Sequence, residues 1–195
     1  MPRIGLLSDS HGRADTTRRG VDLLLAKQVD LLVHLGDIGT PQVIDALLKP
    51  STRGDGILPV RIVFGNTDWD AAALGRYARS VGVRVDHPVG RIDLGAEGET
   101  PPGGRENPAG SGTPHPGTRL VFLHGDDASA MRLALGSGAT YLCHGHTHEA
   151  CDRRQDRTRI INPGALFRAR VHSVALLDTD RDQVEFLTLG GPGGS

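Results

Sequence analysis

The chain has 195 residues, enough for one domain with a substantial core. Its 22 basic and 23 acidic residues are interspersed and leave a formal net charge of -1, which excludes the basic stripe of a protein that grips long nucleic acid. The N-terminal apolar run is too short for a signal peptide, no segment approaches the ~20 apolar residues that span a bilayer, and two cysteines are too few for a disulfide framework. A cytoplasmic protein without a membrane partner is expected, with Cys143 and Cys151 read as reduced thiols, although one bridge across a hairpin is geometrically conceivable.

In chain order, Ile4 to Ser8 is an unbroken apolar run, the pattern of a strand covered on both faces, and Asp9-Ser10-His11-Gly12 ends it. Thr16 to Val29 carries Val21, Leu24 and Leu25 at helical spacing, and Leu31 to Leu35 repeats the buried-strand pattern before Gly36-Asp37. A short helix is predicted over Pro41 to Leu48, with Thr40 as N-cap. Arg61 to Phe64 is a third strand, stopped by Gly65-Asn66-Thr67-Asp68. Asp70 is placed to cap a helix over Ala71 to Val81, and Val83 to Asp86 and Arg91 to Leu94 read as short strands.

The segment from about 95 to 117 is rich in Gly, Pro, Ser and Thr and reads as a flexible loop within one domain spanning 1–190. Leu120 to Leu123 is a strand ending at His124-Gly125, followed by a helix over Ala128 to Leu135 with Asp127 at its start. Tyr141-Leu142-Cys143 leads into His144-Gly145-His146-Thr147-His148, and Arg159 to Ile161 precedes Asn162-Pro163-Gly164. Ser173 to Leu177 and Val184 to Leu189 read as a strand pair, with residues 191–195 as a disordered tail. Edge strands near the C-terminus leave a homo-oligomer open.

Parallel strands joined by helices bring their carboxyl ends to one edge of a sheet, so residues distant in sequence converge there. Asp9, His11, Asp37, Asn66, His124, His146 and His148 all stand at or just beyond such ends. Carboxylates, an amide oxygen and imidazoles suit Mn, Fe, Co, Ni or Zn better than calcium. Seven ligands exceed one tetrahedral site and suit two ions with a bridging carboxylate, a known arrangement for displacement at phosphorus. Taken singly, Asp9-Ser-His11 is as readily a helix-capping turn, and His124 a satisfied polar residue at a strand end. Three imidazoles within five residues are harder to explain as packing, and an extended chain would put His146 and His148 on one side. Five strand tips carrying metal-type residues together decide for a metal centre. His34, His87, His115, His144 and His172 are treated as structural or exposed. Trp69 stands either at a substrate entrance or, more commonly for an aromatic beside a buried site, in the core.

These motifs, Asp9-x-His11, Gly36-Asp37, Gly65-Asn66-x-Asp68, His124-Gly125 and Gly145-His146-x-His148, occur in an order and spacing that resembles the calcineurin-like metallophosphoesterase superfamily, from Asp9 to about Gly164. The chain is most similar to its small bacterial and archaeal phosphodiesterase branch, in which Asn-Pro-Gly, here Asn162-Pro163-Gly164, follows the metal motifs. The resemblance implies an α/β fold, a two-sheet β-sandwich flanked by helices. It implies that Asp9, His11, Asp37 and His148 hold one divalent ion and Asp37, Asn66, His124 and His146 the other, with Mn the first expectation. It further implies hydrolysis of a small phosphodiester or phosphate ester by a hydroxide bridging the two ions. Asn66 would then orient a phosphate oxygen, and His11 would lie near the leaving group.

One position departs from the pattern. Many relatives carry a histidine after the motif asparagine, thought to assist the leaving oxygen, and this chain has Thr67. General acid assistance is worth ~10²–10⁴ in rate, so weak activity on poor leaving groups is expected. Three rival readings are a phosphomonoesterase or protein phosphatase on the same metals, a scaffold like the retromer subunit of this fold, and a nuclease. The complete ligand set weighs against the scaffold, and the missing basic surface against the nuclease.

Overall fold

The computed structural model describes residues 2–51, 53–54, 56–94 and 118–190. The loop expected at about 95–117, with His115, and the tail expected at 191–195 lie outside them.

The first sheet has the strand order β11-β10-β1-β2-β3-β4. Its members are β1 (Arg3–Leu7), β2 (Leu31–His34), β3 (Val60–Ile62), β4 (Arg84–Val85), β10 (Ser173–Asp178) and β11 (Gln183–Thr188). Strands β1 to β4 run parallel, β10 pairs antiparallel with β1, and β11 pairs antiparallel with β10. Strands β5 (Val89–Asp93), β6 (Arg119–Leu123), β7 (Tyr141–Cys143), β8 (Cys151–Gln155) and β9 (Thr158–Asn162) form the second, in the order β5-β6-β7-β9-β8. Its central β6, β7 and β9 are parallel and its two edges antiparallel.

The alternation of side chains along each strand distributes the core into three seams. Ile4 and Leu6 of β1, with Val33, Leu35 and Val63, face Leu120, Phe122, Tyr141, Cys143 and Ile161 of the second sheet. Leu7, Leu32 and Ile62 point the other way, to helices α1 (Ala14–Ala26), α2 (Pro41–Leu47) and α3 (Ala71–Ser80). Val121, Leu123, Leu142 and Ile160 on the far side of the second sheet meet α4 (Ala128–Leu135). The result is a four-layer helix–sheet–sheet–helix sandwich. Because both faces of every central strand are covered, the strands read as continuous apolar runs.

The helix starts follow the capping reading in two of three cases. The Asp70 carboxylate accepts from Ala73 N–H, and that of Asp127 from Ser129 and Ala130 N–H. Thr40 occupies the N-cap position of α2 but its hydroxyl makes no capping bond. Strand β8 carries no sequence signal: Cys151–Gln155 is an edge strand with four of five residues exposed, so it lacks an apolar run. Strand β9 lies between Cys143 and Cys151, and both are free.

Candidate metal centre

The parallel strands of both sheets end at the same edge of the sandwich, so the expected residues come from two sheets rather than one. Asp9 and His11 follow β1, Asp37 follows β2, and Asn66 and Thr67 follow β3. His124 follows β6, and His146 and His148 follow β7 in the second sheet.

Backbone bonds tie these loops together. Asp9 N–H donates to Gly36 O at 3.0 Å, His11 N–H to Asp37 O at 2.8 Å, and Gly145 N–H to His124 O at 2.9 Å. The His146 N–H donates to Asp9 Oδ2 at 3.1 Å and so joins the two sheets. Five of the seven expected ligands take left-handed backbone: Asp9 (φ 55°), His11 (44°), Asp37 (55°), His146 (67°) and His148 (60°). For non-glycine residues this conformation costs roughly 1–2 kcal/mol each, and such outliers cluster where function constrains the chain. His146 and His148 therefore converge through left-handed turns and not through strand alternation. Helix α1 begins with Arg13 at its N-cap and no side-chain capping bond, so Asp9 and Ser10 are not its cap.

The side chains converge on one cluster, buried at Asp9, Asp37 and His124, half-buried at His11 and His148, and exposed at Asn66 and His146. Asp37 Oδ2 lies 3.5 Å from His11 Nε2 and 3.5 Å from His124 Nε2. Its Oδ1 accepts from Thr67 N–H at 2.9 Å. Asp9 Oδ1 lies 3.3 Å from His148 Nε2. Asn66 Oδ1 is 3.1 Å from His124 Nε2, and the His146 ring meets that of His124 edge-on at 5.2 Å. Two groups of donor atoms, Asp9/His11/His148 and Asp9/Asp37/His124, each lie within 4.8 Å of one another.

Several observations fit this set to cations. Asp9 Oδ1 and His11 Nε2 are buried without a hydrogen-bond partner, although such groups are normally satisfied. His124 Nδ1 faces Leu35 O at 2.8 Å and His148 Nδ1 faces Arg168 O at 3.4 Å. A carbonyl only accepts, so both rings carry the proton on Nδ1 and turn the Nε2 lone pair inward when neutral. Burial alone would lower the His124 pKa, but the hydrogen bond and charge of Asp37 and the Leu35 carbonyl push it up to about 9. Burial would raise that of Asp37, and bonds from His124 and Thr67 N–H instead hold it well below the usual carboxylate range. Without an ion, a proton on His124 thus supplies the cation that Asp37 needs. His11 goes the other way, its pKa lowered by burial against the pull of Asp37 and Asp9.

Glycine is required where backbone passes against ligands. A Cβ on Gly65 would stand 2.2 Å from Asp37 Oδ1, and one on Gly145 would stand 1.8 Å from Ser8 Oγ and 2.8 Å from Asp9 Oδ2.

Two supporting residues belong to the motifs Gly65-Asn66-x-Asp68 and Asn162-Pro163-Gly164. The buried Asp68 carboxylate accepts from the N–H groups of Gly39 (2.7 Å), Gly65 (2.9 Å) and Ile38 (3.2 Å), clamping the loop of Asn66 to that of Asp37. Asn162 Nδ2 donates to Gly145 O (2.8 Å) and Thr147 Oγ1 (3.0 Å), and its Oδ1 accepts from Gly164 N–H, fixing the His146–His148 loop. Phe167, whose ring lies 5.7 Å from that of His11, had no signal in the sequence. Among the histidines set aside, His34 is fully buried and bonded to Ser10 Oγ at 2.8 Å, and burial drives its pKa down to about 3. Trp69 is 92% exposed, which overturns the core reading for it.

A sandwich that gathers carboxylates and imidazoles at the strand tips of both sheets defines a metallophosphoesterase-type protein. Residues 2–182 match the calcineurin-like phosphoesterase superfamily domain, and the chain belongs to that family. It is 20% identical over 193 residues to a phosphodiesterase of Methanocaldococcus jannaschii, spanning 96% of this chain and 99% of the relative. The structure of a novel archaeal phosphodiesterase superposes with a TM-score of 0.73 at 19% identity, covering 96% of this chain and 99% of that one. Vps29 from Entamoeba histolytica, solved with zinc, gives a TM-score of 0.55 at 16% identity over 96% of this chain and 98% of that one. No helix among the described residues is long and apolar enough to cross a membrane.

Proposed function

We propose that the protein hydrolyses small phosphodiesters with two divalent ions, manganese first among the candidates Mn, Fe, Co, Ni and Zn. The observations that carry this reading are the two overlapping donor groups, Asp9/His11/His148 and Asp9/Asp37/His124, and Asp37 Oδ2 at 3.5 Å from both His11 Nε2 and His124 Nε2. Asp9, His11, Asp37 and His148 would hold one ion, and Asp37, Asn66, His124 and His146 the other. Two ions so held supply positive charge at the phosphoryl oxygens and make water a competent nucleophile near neutral pH.

The chain's own groups do the positioning. Leu35 O and Arg168 O orient the imidazoles of His124 and His148 through their Nδ1–H groups. The amide Nδ2 of Asn66 is available to a phosphoryl oxygen when Oδ1 serves as ligand. Thr67 Oγ1, 3.3 Å from His11 Nδ1, is a hydroxyl where an imidazole would assist a leaving alkoxide, which favours diesters with good leaving groups. The named activity of the archaeal relative supports the diester reading. The reading includes a cytoplasmic location, supported by two free thiols.

The test is hydrolysis of bis-nitrophenyl phosphate and of its monoester by metal-stripped protein titrated with Mn, with Asp37→Ala as control. Mn-dependent turnover that favours the diester and disappears in the variant is expected. Absence of turnover with Mn, Co, Ni and Zn would overturn the enzymatic reading in favour of a scaffold.

A further inference from the structure

The rim beside His11 carries two cations that the metal centre does not use. The half-buried Phe167 ring packs 5.7 Å from the His11 ring, which itself lies 5.4 Å from that of His148. The guanidinium carbon of Arg13 sits 4.4 Å from the centre of the Phe167 ring, and that of Arg168 sits 5.3 Å from it. Both arginines are exposed, and neither guanidinium meets a carboxylate or other hydrogen-bond acceptor among the described residues. Arg61 and Arg159, by contrast, meet carboxylates, Asp86 for the first and Asp152 and Asp182 for the second. Arg168 is also held in left-handed backbone (φ 53°), with its carbonyl engaged by His148. The site residue and the cation are thereby fixed by the same peptide.

Contact with an aromatic ring limits the freedom of a guanidinium and leaves its N–H groups available for a planar or tetrahedral oxyanion. The scissile phosphate would be met by the ions, so this pair of charges is surplus to it. On the phosphodiesterase reading, we infer that Arg13 and Arg168, braced on Phe167, form a subsite for a second phosphate on the substrate, one sugar or a spacer of similar length from the bond that is cut. The preferred substrates are then small diesters with a terminal phosphate, and the subsite raises specificity rather than performing chemistry.

The experiment compares the dinucleotide dTpdT with its 5′-phosphorylated and 3′-phosphorylated forms, using Mn-loaded protein and bis-nitrophenyl phosphate as a reference diester. One phosphorylated form is expected to exceed dTpdT in kcat/KM by about tenfold or more, and the ratio should fall to near unity in an Arg13→Gln/Arg168→Gln double variant. Calorimetric titration with thymidine 3′,5′-bisphosphate and thymidine 5′-phosphate gives a readout that needs no turnover. About tenfold tighter binding of the bisphosphate, lost in the double variant, is expected. Cleavage of the reference diester with equal kcat/KM for all three dinucleotides would overturn the subsite and leave the phosphodiesterase reading standing. Failure to cleave any diester would overturn that reading instead, and equal binding of the two nucleotides would then overturn the subsite as well.

Discussion

Asp68→Ala removes a side chain that touches no expected ligand, yet its loss should be felt at the metal centre. Its carboxylate is the sole side-chain acceptor for three backbone N–H groups, those of Ile38, Gly39 and Gly65. Hydrogen bonds to a charged group contribute about 1.5–3 kcal/mol each, so three would give a nominal loss above 4 kcal/mol. Burial raises the Asp68 pKa, so desolvation of the carboxylate already offsets part of that gain. The net loss of stability should be about 3–5 kcal/mol for the metal-free protein by urea unfolding. Asp68→Asn keeps one acceptor oxygen but turns an NH2 group toward an N–H, and an intermediate loss is expected. Because Asp68 joins the loops of Asp37 and Asn66, Asp68→Ala should also weaken binding of the ion on the Asn66 side by about tenfold or more, read by Mn titration calorimetry. A loss under about 1 kcal/mol with two ions bound at unchanged affinity would refute the clamp.

Three further outcomes follow from the geometry. Gly145→Ala forces a Cβ into Ser8 Oγ and Asp9 Oδ2. It should cost at least about 2 kcal/mol and abolish high-affinity Mn binding, and a variant with near-normal unfolding and metal titration would show that the backbone there can move. His34 stays neutral in the folded chain down to about pH 3, whereas an unfolded histidine protonates near its ordinary value of 6.5. Below 6.5 the unfolded state binds the extra proton, so stability from this group is full above about pH 6.5 and is lost as pH falls toward 3, by about 4–5 kcal/mol in all. Urea unfolding between pH 6 and 4 should show a slope about 1.4 kcal/mol per pH unit steeper for the native chain than for His34→Asn, and parallel slopes would contradict this. Thr67→His supplies an imidazole beside the leaving oxygen and should raise kcat/KM on esters of high-pKa alcohols by about tenfold or more, with little change for nitrophenyl esters. An unchanged ranking across leaving groups would remove residue 67 from that role.

The candidate residues were legible before folding because each sits at or just beyond the end of a buried strand, and runs such as Ile4–Ser8, Leu31–Leu35 and Leu120–Leu123 announce their own ends. Helices α3 and α4 were legible at their starts because Asp70 and Asp127 are local caps that act within three residues. Strand β8 escaped because an exposed edge strand buries almost nothing and so needs no apolar pattern. The core reading of Trp69 failed because the sequence near it says nothing about which elements pack over the loop.

The sequence by itself determined which residue types stand at the strand tips and the family to which their order points. Local periodicity and capping depend on neighbours a few residues apart, and those neighbours are written in the chain. Only the tertiary structure decided that the tips come from two sheets, that Asp37 lies between His11 and His124, and that Asp68 and Asn162 brace the ligand loops. The same is true of the left-handed turns at Asp9, His11, Asp37, His146 and His148, and of Arg13, Phe167 and Arg168 meeting at the rim. The contacts that matter most among these join distant residues, Asp68 with Ile38, Asn162 with Thr147, His146 with Asp9 and Arg13 with Phe167. They are set by the packing of the two sheets, which brings their strand ends together at one edge and leaves the loops no other route.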